Sequence, residues 1–183
     1  VGTWIVRKNL ENTIKWFVEE FYEQEVGLIV KTSQAKNCLR DREFTANRLK
    51  QLLQEYKDRK CEIYLLHGDM NEQEMTALYQ HPKVKVMISA SHGEGFGLPL
   101  FEAAYNALPI IAPNWGGQVD FLHMPVKDKK GKVKNKAMFA DVAYDIKPIQ
   151  DSAHWEGVIQ KDSMWCYPKE WNFKKSMRLL QKD

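Results

Sequence analysis

Between Ser89 and Glu102 the sequence reads SASHGEGFGLPLFE. Gly93, Gly95 and Gly97 fall within five residues, and two carboxylates, Glu94 and Glu102, stand eight positions apart. Glycines let a backbone approach a ligand closely. Pro99 suits the first turn of a helix beginning there. A helix start offers unpaired N–H groups and partial positive charge, which together make a site for phosphate or another anion. A carboxylate beside such a site needs a hydroxyl or a developing cation to face. Glu94 is therefore read as held near the ligand, and Glu102 as an acceptor for neutral hydroxyls such as those of a ribose. The residues alone leave two other readings open: Glu94 as a solvated loop residue, and Glu102 as a carboxylate stabilising its own helix start. The loop is not a dinucleotide fingerprint, because Leu98 stands where G-x-G-x-x-G needs glycine. It is not a P-loop, because no Gly-Lys-Ser/Thr follows.

The elements that must position this loop follow from hydrophobic spacing. Short apolar runs at Val1–Ile5, Gly27–Val30, Glu62–Leu66, Val84–Ser89 and Pro109–Ala112 read as strands. Between them, Leu10–Glu25, Asp41–Arg59, Asn71–Gln80 and Leu98–Ala107 read as helices. Asn71 with Glu74 predicts a capping box. Parallel strands need helical crossovers, so the alternation predicts an α/β fold, a Rossmann-like parallel sheet with helices on both faces. Ligands in such sheets lie beyond the carboxyl ends of the strands. Beyond Gly117 the pattern weakens. Lys127–Lys136 carries six lysines and one aspartate, and lacks interleaved aromatics, so it reads as a solvated hairpin tip or surface loop. One more strand is expected within 138–149 and a helix over Glu170–Gln181, with Trp155, Trp165 and Trp171 packing against the sheet.

Composition bounds the function. The 183 residues are 44% hydrophobic and 28% charged, as in a globular chain of one domain, 1–183. A net charge of +3 is too weak to argue for nucleic acid. No apolar run approaches the roughly 20 residues that cross a bilayer. Cys38, Cys61 and Cys166 are odd in number and far apart, which supports neither a disulfide framework nor a zinc site. With no signal-peptide pattern, the expected location is cytoplasmic. The chain opens at Val1 directly on an apolar stretch, as a piece of a longer protein would.

EGFGLPLFEA resembles the E-x7-E signature of retaining GT-B glycosyltransferases of group 1 (family 4). VGTWIVRKN is similar to the first strand and loop of that family's donor domain, and LPIIAPNWGGQVDFL to the stretch that follows the signature. The motifs cover roughly residues 1–122. The resemblance implies the C-terminal, nucleotide-sugar-binding half of a GT-B fold, with an N-terminal acceptor domain missing. It implies metal-independent, retaining transfer from a nucleoside-diphosphate sugar to an unknown acceptor, with no cofactor. Glu94 would be catalytic, facing the sugar near the reacting carbon. Glu102 would bind ribose hydroxyls. Gly95, Phe96, Gly97 and Leu98 would contact sugar and diphosphate through their backbone. Lys8 matches the lysine that neutralises the diphosphate. Thr3 stands where the family carries arginine, and Arg7 is the candidate replacement for that charge. Gly116 and Gly117 would line the cleft, Asn114 and Trp115 its mouth, and Asp120 stands where the family often has glutamate.

Weaker candidates are His92 and Lys31 beside the phosphate cleft and His67 near the base. The alternative function is a non-catalytic or degenerate nucleotide-sugar binding module. A second rival is a basic interaction domain whose partner docks on Lys127–Lys136. Expected partners are the donor and an acceptor sugar, lipid or protein, without nucleic acid, and with peripheral membrane contact only through the missing domain. The catalytic site is expected to hold no metal, since the sequence has neither a DxD motif nor an Asp/His cluster.

Overall fold

The computed structural model describes residues 1–181. In chain order the elements are α1 (Leu10–Glu20), β1 (Gly27–Lys31), α2 (Leu39–Leu52), β2 (Glu62–Leu66), α3 (Glu72–Tyr79), β3 (Met87–Ile88), α4 (Leu98–Tyr105) and β4 (Ile110–Pro113). They continue with α5 (Val119–Leu122), β5 (His123–Lys127), β6 (Val133–Ala137), β7 (Ala140–Val142), β8 (Tyr144–Pro148), β9 (Met164–Pro168) and α6 (Glu170–Gln181).

All four residues of β4 are buried. Successive strand side chains point to opposite faces, and β4 divides accordingly. Ile111 packs with Ile14, Val18 and Phe173, whereas Ile110 and Ala112 pack with Tyr79, Leu100 and Ala103. One face is thus covered by α1 and α6, the other by α3 and α4. Burial on both faces is the mark of a parallel α/β sheet. The fully buried ring of Phe173 clamps α6 onto α1 beside Trp16, with centroids 5.6 Å apart. Burying such a ring contributes about 2–3 kcal/mol.

The fold is the Rossmann-like α/β architecture expected, with two corrections to its sheet. It is hydrogen-bonded in two parallel pieces, β1–β2 and β3–β4–β7. The expected strand Val1–Ile5 is not formed. Two backbone bonds, Gly2 N–H to Lys31 O (3.1 Å) and Trp4 N–H to Ser33 O (2.9 Å), and the Thr32 hydroxyl donating to Gly2 O (2.7 Å) tie it to the end of β1. Gly2 has φ +133°, and the Ile5 N–H turns back to Thr3 O at 3.0 Å, so no ladder extends. The segment still lies between the two pieces, facing Met87–Ala90 across a small cavity. The expected strand Val84–Ser89 shrinks correspondingly to two paired residues.

Two helices end early. In α1 the chain leaves helical geometry at Phe21 (φ −113°, ψ 22°), not at Glu25. Helix α2 stops at Leu52, not Arg59, but looser turns carry the spacing on, and Tyr56 still reaches the core with its hydroxyl donating to Glu19 (2.8 Å). The capping box of Asn71 and Glu74 is present. Lys127–Lys136 spans the turn of an exposed hairpin, β5–β6, as read from its composition. The region 138–149 holds two short strands, not one. Of the three late tryptophans only Trp165 is buried. Trp155 is 66% exposed and Trp171 61%, because the buried stripe of α6 runs through Phe173, Ser176 and Met177 and leaves Trp171 off it.

Candidate active site

The glycine loop spans β3 and α4 and meets a single 3-10 turn, Val6–Lys8. That turn ends at Asn9, which adopts the left-handed conformation (φ 50°) that asparagine tolerates better than most residues. Asn9 is buried, and its Nδ2 donates to Ala90 O at 3.0 Å. The His92 N–H and the Ser91 hydroxyl both donate to Arg7 O, at 2.8 and 3.2 Å. These bonds pin the backbone of Arg7 and Lys8 against the loop.

Their side chains then converge on Glu94. Lys8 Nζ lies 2.7 and 2.8 Å from the two carboxylate oxygens, and Arg7 Nη1 lies 3.2 Å from Oε2 while also donating to Gly93 O. The stem of Lys8 crosses Gly2, where a Cβ would sit 3.2 Å from Lys8 Cε. The Glu94 side chain is only 9% exposed. Burial pulls its pKa up, but the bond and charge of Lys8, with help from Ser91 and Arg7, hold it below the ordinary carboxylate value. Glu94 is thus a fixed anion, suited to facing positive charge and unsuited to donating a proton. Two cations against one carboxylate leave a net charge of +1 beside the start of α4.

The start of α4 is built for close approach. Gly97 caps it in the left-handed region (φ 88°) with no side chain. Pro99 has no N–H, and the N–H groups of Leu100 and Phe101 both turn to Gly97 O, at 2.9 and 3.0 Å. Leu98 therefore supplies the N–H of the first turn that is left for an anion, a narrower site than a full helix start offers. Gly95 has open space where a side chain would stand. Phe96 turns its ring away, 5.5 Å from Phe101 and 5.1 Å from Phe121. The loop after β4 buttresses this one. The Gly117 N–H donates to Glu94 O at 2.9 Å. A Cβ on Gly117 would collide with Gly95 O, and one on Gly116 (φ 98°) would lie 2.9 Å from Glu94 O.

The other candidates are distributed less tightly. Thr3 and Lys31 line a cavity of about 40 Å³ with Lys8 and Glu94. That space holds a water or two, so a nucleotide-sized ligand meets these groups across the open rim. Lys31 also donates to Gly68 O at 3.0 Å. Glu102 is absent from this cavity and instead accepts from the Tyr79 hydroxyl at 3.0 Å. Desolvation and that carboxylate raise the Tyr79 pKa. His67 lies in a separate cavity of about 490 Å³ with Asn37, Cys38 and Arg42, its Nε2 2.8 Å from Asp41. Asp41 also accepts from the N–H groups of Gln34, Ala35 and Lys36, and these bonds with His67 hold its pKa well below the usual range. His92 is buried, stacked on Trp165 (5.5 Å), and its Nδ1 donates to Cys166 O at 2.7 Å. It ties the loop to β9. Asn114 donates to Asp141 at 3.3 Å, Trp115 packs on Tyr144, and Asp120 is exposed at the start of α5.

Sequence reasoning missed Gly2, Asn9, Ser91, Tyr79 and Asp41. For Asn9 a signal existed, an asparagine directly between a basic pair and a helical run. The partners of Tyr79 and Asp41 lie 23 and 26 positions away, at Glu102 and His67, and have no local signature.

A family model described as glycosyl transferases group 1 matches residues 7–141, well over half of the chain and all of the Arg7–Lys8–Glu94 cluster. The chain belongs to the group 1 glycosyl transferases. Membership brings glycosyl transfer from a sugar donor to an acceptor. No curated protein matches the chain significantly. Among the described residues of this family member no three His, Cys, Asp or Glu side chains are grouped to hold a metal ion. No described helix is long and apolar enough to cross a membrane.

Proposed function

We propose that this chain is the donor-binding, C-terminal half of a retaining GT-B glycosyltransferase of family 4. In this reading the donor is a nucleoside-diphosphate sugar, and the acceptor sits on a second domain across the cleft. One observation carries the proposal: Lys8 and Arg7 converge on Glu94 at the start of α4. When the bond from the anomeric carbon to phosphate breaks, its electron pair leaves with the diphosphate. Lys8, Arg7 and the Leu98 N–H are placed to stabilise that negative charge without a divalent metal. Positive charge grows on the sugar ring, and ionised Glu94 faces it. The acceptor hydroxyl then bonds to the anomeric carbon and passes its proton to an oxygen of the departing diphosphate. Gly95 and Gly97 let the sugar and diphosphate lie against backbone, and Glu102, freed from Tyr79, takes the ribose hydroxyls.

Lys8 has two partners to choose between in this scheme, Glu94 and the diphosphate. Glu94→Gln removes the competitor and the charge facing the ring. In protein carrying both domains it lowers kcat by about 100-fold or more while nucleotide affinity holds or tightens. Unchanged kcat would remove Glu94 from the chemistry. A product of inverted anomeric configuration by NMR would overturn the retaining assignment.

A further inference from the structure

The hairpin β5–β6 projects from the fold with every residue from Met124 to Lys136 exposed. It holds six lysines, at 127, 129, 130, 132, 134 and 136, with no arginine and no aromatic residue. Its one acid, Asp128, is occupied within the turn, where Oδ1 accepts the N–H groups of Lys130 and Lys132 at 2.8 and 3.0 Å. Among the described residues no carboxylate pairs with any of the six lysines.

The antiparallel register sorts these residues by face. Met124 stands opposite Lys136 and Val126 opposite Lys134, and directly paired residues share a face. That face therefore alternates exposed aliphatic side chains, Met124 at 54% and Val126 at 40%, with unpaired lysines. Met138 (55% exposed) follows at the base of the hairpin.

We propose that the hairpin docks on an anionic lipid bilayer, lysines against the headgroups and Met124 and Val126 between them. The chemistry selects this occupant. Protein interfaces are depleted in lysine and enriched in arginine, aromatics and methionine, and this strip shares only the methionine while carrying six lysines. Single-stranded nucleic acid is held by stacking aromatics, which the strip lacks. Clustered lysines beside exposed aliphatic residues match what an anionic leaflet attracts, a diffuse negative surface over a shallow apolar layer. The contact lies on this chain itself, independent of any second domain and of the donor site.

The test is co-sedimentation of the chain with phosphatidylcholine vesicles containing 0 to 40% phosphatidylserine, at low and high salt. Binding is expected to rise with phosphatidylserine and fall with salt. Each lysine near the surface contributes about 5-fold to the partition coefficient, the equivalent of ~1 kcal/mol. The double variant Lys134→Gln/Lys136→Gln is then expected to bind about 30-fold more weakly, while Lys134→Arg/Lys136→Arg binds as the parent does. Met124→Ser/Val126→Ser is expected to weaken binding without changing its salt dependence. An unchanged thermal midpoint in each variant shows that the fold is intact. Absence of binding at 40% phosphatidylserine, or equal binding by the Gln and Arg variants, overturns the proposal. Tighter binding to a DNA oligonucleotide than to vesicles at the same salt overturns it too, and reassigns the strip to nucleic acid.

Discussion

Replacing Lys8 by alanine isolates the ion pair on which the site depends. Lys8 Nζ contacts both oxygens of Glu94, and the side chains are 18% and 9% exposed, so solvent screens the pair only partly. Truncating one partner of a fully buried pair costs roughly 3–5 kcal/mol, because the other charge is stranded. Here Arg7 remains 3.2 Å from Oε2 and offsets part of the loss, which brings the cost to about 2 kcal/mol. For a chain of this size that lowers Tm by roughly 4–8 °C. The decisive assay is a double-mutant cycle with Glu94→Gln, measured by urea unfolding at pH 7. With the carboxylate neutralised, Lys8→Ala strands nothing, so its cost falls and the coupling is about 1 kcal/mol or more. The pH profile carries the same sign. The folded pKa of Glu94 is depressed, so its contribution is complete above the unfolded carboxylate pKa and is lost as pH falls through the folded one. The gap between parent and Lys8→Ala therefore narrows on acidification. Equal costs of Lys8→Ala in the parent and in the Glu94→Gln background would refute the pairing as a source of stability.

Gly117→Ala puts a methyl group against the Gly95 carbonyl, where no flexible side chain can yield. It is expected to cost about 2 kcal/mol or more in urea unfolding and to shift the backbone NMR signals of Gly93–Gly97. An unchanged stability would show that the two loops separate freely. Burial holds His92 below its ordinary pKa, against the opposing pull of Cys166 O. Its contribution is thus complete above the unfolded value of about 6.5 and is lost as pH falls. His92→Phe keeps the stack on Trp165 and removes the titration, so its Tm is expected to drop less than the parent's between pH 7.5 and 5.5. Parallel Tm profiles would contradict the burial of this imidazole.

Much of the fold is legible in the sequence because its determinants are local. The capping box at Asn71, the run Glu62–Leu66 and the helix Glu170–Gln181 each carry their own signal and stand where the spacing puts them. Val1–Ile5 misleads because a β-friendly run forms a strand only where a neighbouring strand ladders with it, and the turn at Gly2 breaks the ladder with β1. Trp155 and Trp171 mislead because an aromatic residue signals burial only when it falls on the packed stripe. In the site, the glycines, Glu94, Lys8 and Arg7 are visible as residue types. Their convergence is not, since 86 positions separate Lys8 from Glu94 and a left-handed Asn9 sets the approach. The pairing of Glu102 with Tyr79 likewise depends on how α3 packs on α4, which neither segment states alone.

A donor site for a nucleoside diphosphate, built on Lys8 and the glycine loop, is probed without intermediaries by thermal unfolding of this chain with UDP, GDP, ADP and CMP, chelator present. A nucleotide at about 100 times its Kd adds roughly 2.7 kcal/mol, which raises the midpoint of a chain this size by roughly 5–10 °C. Such a rise is expected with one of the diphosphates, together with its loss in Lys8→Ala and its persistence in Glu94→Gln. No rise with any of the four nucleotides, or a rise that Lys8→Ala leaves intact, would mean that Lys8 and the glycine loop do not form the donor site.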